Sequence, residues 1–471
     1  MSTKKLRKIF GILYLADVSR NVIMNVKGDD IMSNIKISDN KIIAKIKPMH
    51  AVNNGPIVAN EDDQTRGNFK SYKALKIPYA RNHDASFCSS YGGNYAVDVN
   101  FIFPDFDADE NDPASYDFAC TDKHVKEVFL AGTKVFYRLG TRIEHEIKKH
   151  NTLPPKDFLK WAKICEHIIK HYTEGWANGF NYDIEYWEIW NEANLVPEDA
   201  DNKPTWGGTD QEFFEFYDIS SRYLKEKFPH LKIGGPAFAG IWNDWIDKFF
   251  SYITREGVSP APLDFFSWHL YEKEPSAIME LGEKIHNKLV EFGYENAEEI
   301  CNEWNYVKGW TDEFVYSIQQ IISQKGAAFT AATMIMGQNS TLDMMMYYDF
   351  RPCCFNGAFD YYTLKPMAPY YTFVAFSELY QSDGQTEAIC DDDDIYILSA
   401  VKDGKKIGMM TYYGDEITDN KKIHIELGTT GKFNYKLLDK DNMYVDKSSD
   451  INSDGSIDLV IKPFDVIYFE V

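Results

Sequence analysis

Between residues 49 and 350, short apolar strands alternate with longer amphipathic helices, and no other feature limits the possible folds as strongly. Eight strands are predicted, at 49–53, 74–80, 133–139, 184–190, 231–235, 264–270, 299–303 and 341–350. Helical patterns occupy the intervals at 64–72, 118–131, 155–172, 211–227, 245–255, 276–291 and 311–338. Eight strands alternating with helices predict a parallel sheet closed into a (β/α)₈ barrel. The alternative is a doubly wound open sheet, but its usual glycine-rich first turn is absent.

Both ends of the sequence read as β-structure. Residues 7–47 alternate apolar and polar positions, which predicts two or three strands. Further short strands between Asp, Gly and Asn turns are predicted at 395–401, 406–412, 421–426, 434–438, 456–461 and 466–471. We expect a β-sandwich that the N-terminal strands join. The predicted division is therefore 1–47 for the N-terminal strands, 48–370 for the barrel and 371–471 for the C-terminal sandwich.

The charge balance argues against several classes of partner. The 471 residues include 50 Lys and Arg against 72 Asp and Glu, a net charge of −22. A surface this acidic repels phosphate groups, so neither nucleic acid nor an anionic membrane is an expected partner. No apolar run has the roughly 18 residues of a membrane span. A neutral substrate fits this surface better.

The cysteines and the N-terminus predict a cytoplasmic protein. Seven cysteines are scattered along the chain without a C-x-x-C spacing, which indicates free thiols rather than a disulfide framework or a zinc site. The apolar stretch 9–16 runs directly into Asp17 without a small-residue cleavage site, so a first strand is favoured over a signal peptide. The acidic stretch 105–112 lacks the turn glycine of a calcium loop, which favours a solvated loop and leaves a bound ion open.

Two glutamates stand at the ends of the fourth and seventh predicted barrel strands. Glu192 follows Asn191, and Glu303 is flanked by Asn302 and Trp304. Because a barrel places its chemistry at the carboxyl ends of its strands, we expect the two glutamates at one rim. One carboxylic acid that protonates the leaving oxygen and one carboxylate that attacks are what glycoside hydrolysis needs. The sequence therefore predicts a glycosidase that needs no metal or cofactor.

These strands also resemble those of a known family. The segment 187–195, Trp-Glu-Ile-Trp-Asn-Glu-Ala-Asn-Leu, is similar to the acid/base segment of glycoside hydrolase family 39, a family of retaining (β/α)₈ glycosidases. Four other segments resemble the family's second, fifth, sixth and seventh strands, at 75–84, 232–237, 264–271 and 302–305. The resemblance covers most of the chain and includes flanking strands that form a sandwich. Members of the family often assemble into oligomers, which leaves a homo-oligomer open.

The resemblance implies a role for each site residue. Glu192 would be the general acid/base and Glu303 the nucleophile, with Asn191 on the sugar 2-hydroxyl and Tyr271 hydrogen-bonded to Glu303. The remaining side chains are expected to support the nucleophile or contact the sugar: Arg81 beneath Glu303, His83 and His269 on hydroxyls, Trp304 and Trp268 as sugar-facing aromatics. A rim ion pair for Arg81 and structural roles for the two histidines are the alternatives.

The eighth strand departs from the family pattern. Tyr348 stands where the β-xylosidases of the family carry a tryptophan, and Arg351-Pro352 replaces an expected acidic pair. The long loop 85–117 is expected to wall the sugar subsite and favour exo action. The prediction is a retaining exo-glycosidase, β-xylosidase-like, acting on short plant-derived oligosaccharides. An α-L-arabinosidase or another glycone specificity is the first alternative, and a carbohydrate-binding pseudoenzyme is the alternative from another class.

Overall fold

The fold is described from a computed structural model, in which residues 32–58, 67–83 and 97–471 are described. Seventeen strands lie in these residues, and their bounds are β1 Met32–Ala44, β2 Ala51–Asn53, β3 Tyr79–Arg81, β4 Lys134–Leu139, β5 Tyr186–Ile189, β6 Lys232–Phe238, β7 Phe265–Glu272, β8 Glu298–Tyr306, β9 Met344–Tyr347, β10 Gly384–Cys390, β11 Ile395–Lys402, β12 Lys405–Tyr412, β13 Lys421–Glu426, β14 Lys432–Leu438, β15 Met443–Asp450, β16 Ser456–Ile461 and β17 Val466–Glu470. Ten α-helices lie in the same part of the chain: α1 Phe69–Ala74, α2 Val99–Ile102, α3 Ala119–Leu130, α4 Phe158–Thr173, α5 Asp210–Lys227, α6 Asp244–Ile253, α7 Pro275–Glu291, α8 Phe314–Ile321, α9 Gln324–Gln338 and α10 Ala368–Tyr380.

Strands β2 to β9 form the closed parallel barrel that the sequence predicts. Each strand pairs with the next along the chain, and β2 closes the ring against β9 through Val52 and Tyr347. Amphipathic helices cover the outside, and capping residues define their starts: Asp157 accepts from the Lys160 amide at α4, and Thr209 with Glu212 forms a capping box at α5. All eight predicted barrel strands are confirmed, with shifted ends.

The accessory β-structure is also confirmed, and the N-terminal strand belongs to it. Its strands form one continuous sheet in the order β15-β14-β17-β12-β11-β10-β1-β13-β16. Strand β1 lies antiparallel to β10 and parallel to β13. Side chains from both ends of the sheet share one apolar core, which includes Ile35, Ile423, Phe433 and Phe469, so the sheet folds over itself as a sandwich. The predicted strands within residues 7–31 lie outside the described residues.

The sandwich packs directly on the barrel through α9 and α10. On β11 and β12, Leu398, Ala400 and Met409 belong to the barrel's core, whereas Ile397 and Met410 face the sandwich interior. This alternation follows the two-residue period of a strand buried on both faces. The division of the chain at residues 47 and 370 stays a prediction.

Several elements differ from the sequence prediction. The helix expected over 311–338 is two helices, because α8 ends at Ile321 and Ser323 caps the start of α9 by accepting a hydrogen bond from the Lys325 amide. Helix α10 was not predicted, because it is apolar on nearly every face and rich in residues that favour strands. Strands β10 and β15 were also not predicted, since mostly polar or exposed residues weaken their alternation.

Candidate active site

The carboxyl ends of β3, β5, β7 and β8 bring a cluster of charged side chains into the barrel interior. Arg81 is fully buried at its centre. Its guanidinium donates to Glu303 Oε1 at 2.7 Å, to Glu188 Oε2 at 2.7 Å and to Asn191 Oδ1 at 2.6 Å. A planar guanidinium with several fixed donors suits this task, since it holds carboxylate and amide oxygens in one geometry.

Glu303 lies between Arg81 and Tyr271. The Tyr271 hydroxyl donates to Glu303 Oε2 at 2.6 Å, so each carboxylate oxygen has its own donor. Burial raises the pKa of Glu303 to about 7, and the nearby Glu192 adds to this increase, whereas Arg81 and Tyr271 oppose it. The two donors therefore favour the ionised form of a carboxyl group that its buried position would otherwise keep protonated.

Glu192 approaches Glu303 from the end of β5. Its backbone φ of +49° follows Trp190 at φ +72°, so the chain turns sharply where the strand ends. The Glu192 amide donates to the Ala237 carbonyl at 2.9 Å, which fixes this turn against β6. The Glu192 carboxyl lies 2.7 Å from His269 Nδ1, and that nitrogen lies 3.5 Å from Glu303 Oε2. His269 thus sits between the two carboxyl groups.

Both histidines at the site are neutral at neutral pH. Burial lowers the pKa of His269 to about 4. Burial, with Arg81 and Arg138 nearby, also lowers the pKa of His83 well below its usual value. Arg138 Nε donates to His83 Nδ1 at 3.3 Å, which places the His83 proton on Nε2, 3.5 Å from Glu303 Oε1. His83 therefore faces the same carboxylate oxygen as Arg81.

Asn191 offers a buried donor beside the carboxyl groups. Its side-chain oxygen accepts from Arg81, which fixes the orientation of the amide. Its Nδ2 is buried and has no hydrogen-bond partner within the part of the chain that the structure describes. A buried donor without a partner is costly, so this position is suited to a ligand oxygen.

Comparisons with known proteins show the family of the chain. Residues 107–355, more than half of the chain, match the model of the glycosyl hydrolases family 39. The chain belongs to this family. A β-xylosidase of Geobacillus stearothermophilus is 33% identical over 154 residues, which is 32% of this chain and 26% of that protein. The match therefore spans about a quarter of that relative's length.

Two solved structures share the fold of this family 39 chain. The glucosidase from Croceicoccus marinus has a TM-score of 0.75 at 19% identity and covers 94% of this chain and 99% of its own. The GH39 enzyme from Xanthomonas axonopodis pv. citri has a TM-score of 0.67 at 15% identity and covers 96% and 99%. At these identities the likeness concerns the fold, and it extends over both the barrel and the sandwich.

Two residues expected to face the sugar in this family 39 site do not face it. Trp304 is fully buried and packs against Phe329 of α9 and Tyr347. Trp268 is also fully buried and lies against Gly282 of α7. Glu303 and His269 face the barrel interior, whereas these tryptophans face the helices. On β8 this depends on a shift in the pairing with β7, which leaves Asn302 as an extra residue, so that Asn302 and Glu303 both point inward. The prediction for both tryptophans is therefore wrong.

The aromatic wall of the site comes from other positions. Tyr348, half-buried, lies 6.1 Å from the Tyr271 ring, 5.7 Å from Phe355 and 6.4 Å from His83, measured between ring centroids. Arg351, which follows it, pairs with His124 of α3 at 3.0 Å. Tyr348 is thus beside the carboxylate cluster, whereas the contacts of Arg351 lead away to the helical layer.

The sequence analysis did not identify two buried residues that hydrogen-bond to Arg81 and Asn302 deeper in the barrel. Glu188 is fully buried and accepts from Arg81 and from Asn302 Nδ2, the latter at 2.5 Å. Asn53 accepts from Arg81 and donates to the Asn302 carbonyl at 2.7 Å. The signal was the strand period of two: Glu188 lies between Trp187 and Ile189, which face the helices, and so must point inward.

The cluster is also where the described side chains come closest to a metal-ligand set. Glu192, His269 and Glu303 each offer one ligand atom, all within 4.8 Å of one another, and no other such group of three occurs in residues 32–58, 67–83 and 97–471. At the acidic stretch 105–112, Lys156 pairs with Asp107, and Lys160 and Lys163 pair with Glu110.

Among the helices of the described residues, none combines the length and the apolar composition that a membrane span requires.

Proposed function

We propose that the protein is a retaining, exo-acting glycosidase of the β-xylosidase type. One observation carries the proposal. Glu192 and Glu303 offer carboxyl oxygens within 4.8 Å of each other, and His269 Nδ1 lies within 3.5 Å of both groups. Retaining glycosidases place their carboxyl groups about 5–5.5 Å apart, whereas inverting enzymes need room for a water molecule between them. The short separation supports double displacement.

The surroundings of the two carboxyl groups support different tasks for them. Glu303 receives hydrogen bonds from Arg81 and Tyr271, which favour the ionised form that attacks the anomeric carbon. The retaining mechanism then leaves the role of acid/base to Glu192, whose carboxyl group lies 2.7 Å from the neutral His269. Glu192 then gives its proton to the leaving oxygen, and in the second step it takes a proton from water while the bond to Glu303 breaks.

Different observations support exo action and the choice of sugar. The side chains of Glu192 and Glu303 are only 8% and 4% exposed, which supports a pocket that receives a chain end. The Geobacillus relative is a β-xylosidase, which favours a terminal β-D-xylosyl unit. An oligomeric assembly and a cytoplasmic location stay predictions.

The test is release of nitrophenol from β-D-xyloside, α-L-arabinosides, β-D-glucoside and β-D-galactoside. We expect release from the β-D-xyloside and its loss in Glu303→Gln. The matched control is Glu299→Gln, four residues earlier on β8, where burial raises the pKa of Glu299 to about 8 and keeps it neutral like the amide that replaces it. This control should retain wild-type turnover.

Other outcomes would change the proposal. Release from an arabinoside or a glucoside alone would keep the mechanism and replace the sugar. Undiminished turnover by Glu303→Gln would contradict the assignment of the nucleophile. If neither the panel nor short oligosaccharides are cleaved while calorimetry detects sugar binding, the protein is a carbohydrate-binding pseudoenzyme.

A further inference from the structure

The strongest unassigned feature near the site is an exposed tryptophan on the loop between β8 and α8. Trp310 is 58% exposed, although exposing an indole ring to water is unfavourable. Three aromatic rings hold it: its centroid lies 5.4 Å from Tyr271, 5.8 Å from Phe314 and 6.1 Å from Phe355. The ring is therefore held in place from behind while a large part of its surface faces solvent.

The loop that carries Trp310 is fixed at both ends. Two residues before it, the Lys308 amide donates to Ser317 Oγ of α8 at 2.9 Å, and Lys308 Nζ pairs with Asp415 of the sandwich at 3.1 Å. Ser317 in turn donates to the Glu313 carbonyl at 2.8 Å. An aromatic surface held in this way loses little conformational entropy when a ligand covers it.

Trp310 is continuous with the catalytic centre. The same Tyr271 that donates to Glu303 through its hydroxyl contacts Trp310 through its ring. One aromatic side chain thus separates the buried carboxylate from the exposed indole. The sugar that reacts must lie at the bottom of the pocket to reach Glu303. In an exo-acting pocket only the reacting sugar lies at the bottom, so a ligand part on Trp310 belongs to the leaving group.

We propose that Trp310 is the stacking platform for the first sugar ring of the leaving group. This proposal rests on the proposed function, since it assigns the leaving-group subsite of that same centre. One face of a pyranose presents C–H groups, which pack on an aromatic ring, while its hydroxyls stay in water. Binding energy gained there lowers the barrier for departure of a sugar. The occupant is the second sugar of a short oligosaccharide.

The test compares two substrates of the same glycone that differ only in the leaving group. The disaccharide places a sugar on Trp310, whereas the glycosyl fluoride has no ring to place there. In Trp310→Ala we expect kcat/KM for the disaccharide to fall about 10- to 100-fold, as when an aromatic anchor is removed. We expect kcat/KM for the fluoride to change by less than about twofold. Trp310→Phe should restore most of the loss.

Trp242→Ala is the matched control. Trp242 is also exposed, on the loop after β6 at the same end of the barrel, but it has no ring contact with the aromatic residues that the structure describes. The Trp242→Ala variant should cleave both substrates at the wild-type rate. An equal loss for the fluoride in Trp310→Ala would overturn the proposal, because the defect would then lie at Tyr271 and Glu303. An unchanged disaccharide rate would also overturn it. Failure of the wild type on both substrates would instead refute the proposed function.

Discussion

At the N-terminal end of the barrel interior, side chains from six strands form an apolar layer, whereas at the C-terminal end the interior is charged and amide-rich. The lower layer contains Phe136, Tyr186 and Phe265, whose rings contact one another. Above it, Arg81 and Glu188 are equally buried. Both layers exclude water, but only the upper one contains groups that carry charge.

The difference shows how one scaffold separates stability from chemistry. Burying aromatic area in the lower layer stabilises the barrel. Burying charges in the upper layer costs free energy, which close pairing offsets only in part. What the upper layer gains is a set of donors already aimed at Glu303 in a dry environment, where electrostatic interactions are strongest. We therefore expect mutations in the upper layer to change reaction rates and mutations in the lower layer to change the stability of the fold.

After loss of the nucleophile itself, the largest effect on rate is expected for Glu192→Ala. Loss of the acid should reduce kcat/KM for a disaccharide by about 10²- to 10⁴-fold, because the leaving alkoxide is no longer protonated. A dinitrophenyl glycoside, whose leaving group needs no proton, should lose much less in its first step. Azide should restore turnover and yield a glycosyl azide. Equal losses for both substrates without azide rescue would contradict the role given to Glu192.

The next effect concerns stability rather than rate, and it is expected in the lower layer. Phe265→Ala should reduce the free energy of unfolding by about 3–5 kcal/mol, because it leaves a cavity between Phe136 and Tyr186. Turnover per folded molecule should stay near that of the wild type. Urea unfolding and active-site titration at low temperature measure the two quantities separately. A loss of kcat with unchanged stability would break the distinction between the layers.

The smallest effect concerns the hydrogen bond from Tyr271. Tyr271→Phe removes a donor to the ionised Glu303, so the pKa of Glu303, already raised to about 7 by burial, should rise further. The nucleophile must be ionised, and the acid limb of the pH profile of kcat/KM should therefore move to higher pH. We expect about a tenfold lower rate at the optimum. A limb that moves to lower pH would contradict this account.

Much of this arrangement was predictable from local patterns, since strand ends in a parallel barrel share one rim. That rule was enough to propose Glu192 and Glu303 as partners, and the structure places their carboxyl groups together. Trp304 was misjudged because a shift in the pairing of β8 with β7 at Asn302 turns Glu303 inward and Trp304 towards the helices, which a period of two does not show. Trp268 was misjudged because its chemistry was given more weight than strand alternation, which places it opposite His269. Trp310 could not be identified as part of the site, because its contact with Tyr271 depends on the path of a loop.

Double displacement requires that Glu303 attacks the anomeric carbon while Glu192 lies close by. The most direct test follows the anomeric proton by ¹H NMR during hydrolysis of the β-glycoside that the wild type cleaves. Double displacement predicts that the β-anomer of the free sugar appears first and that the α-anomer follows by mutarotation. Initial release of the α-anomer would mean inversion, and the short separation of the two carboxyl groups would then have been misinterpreted.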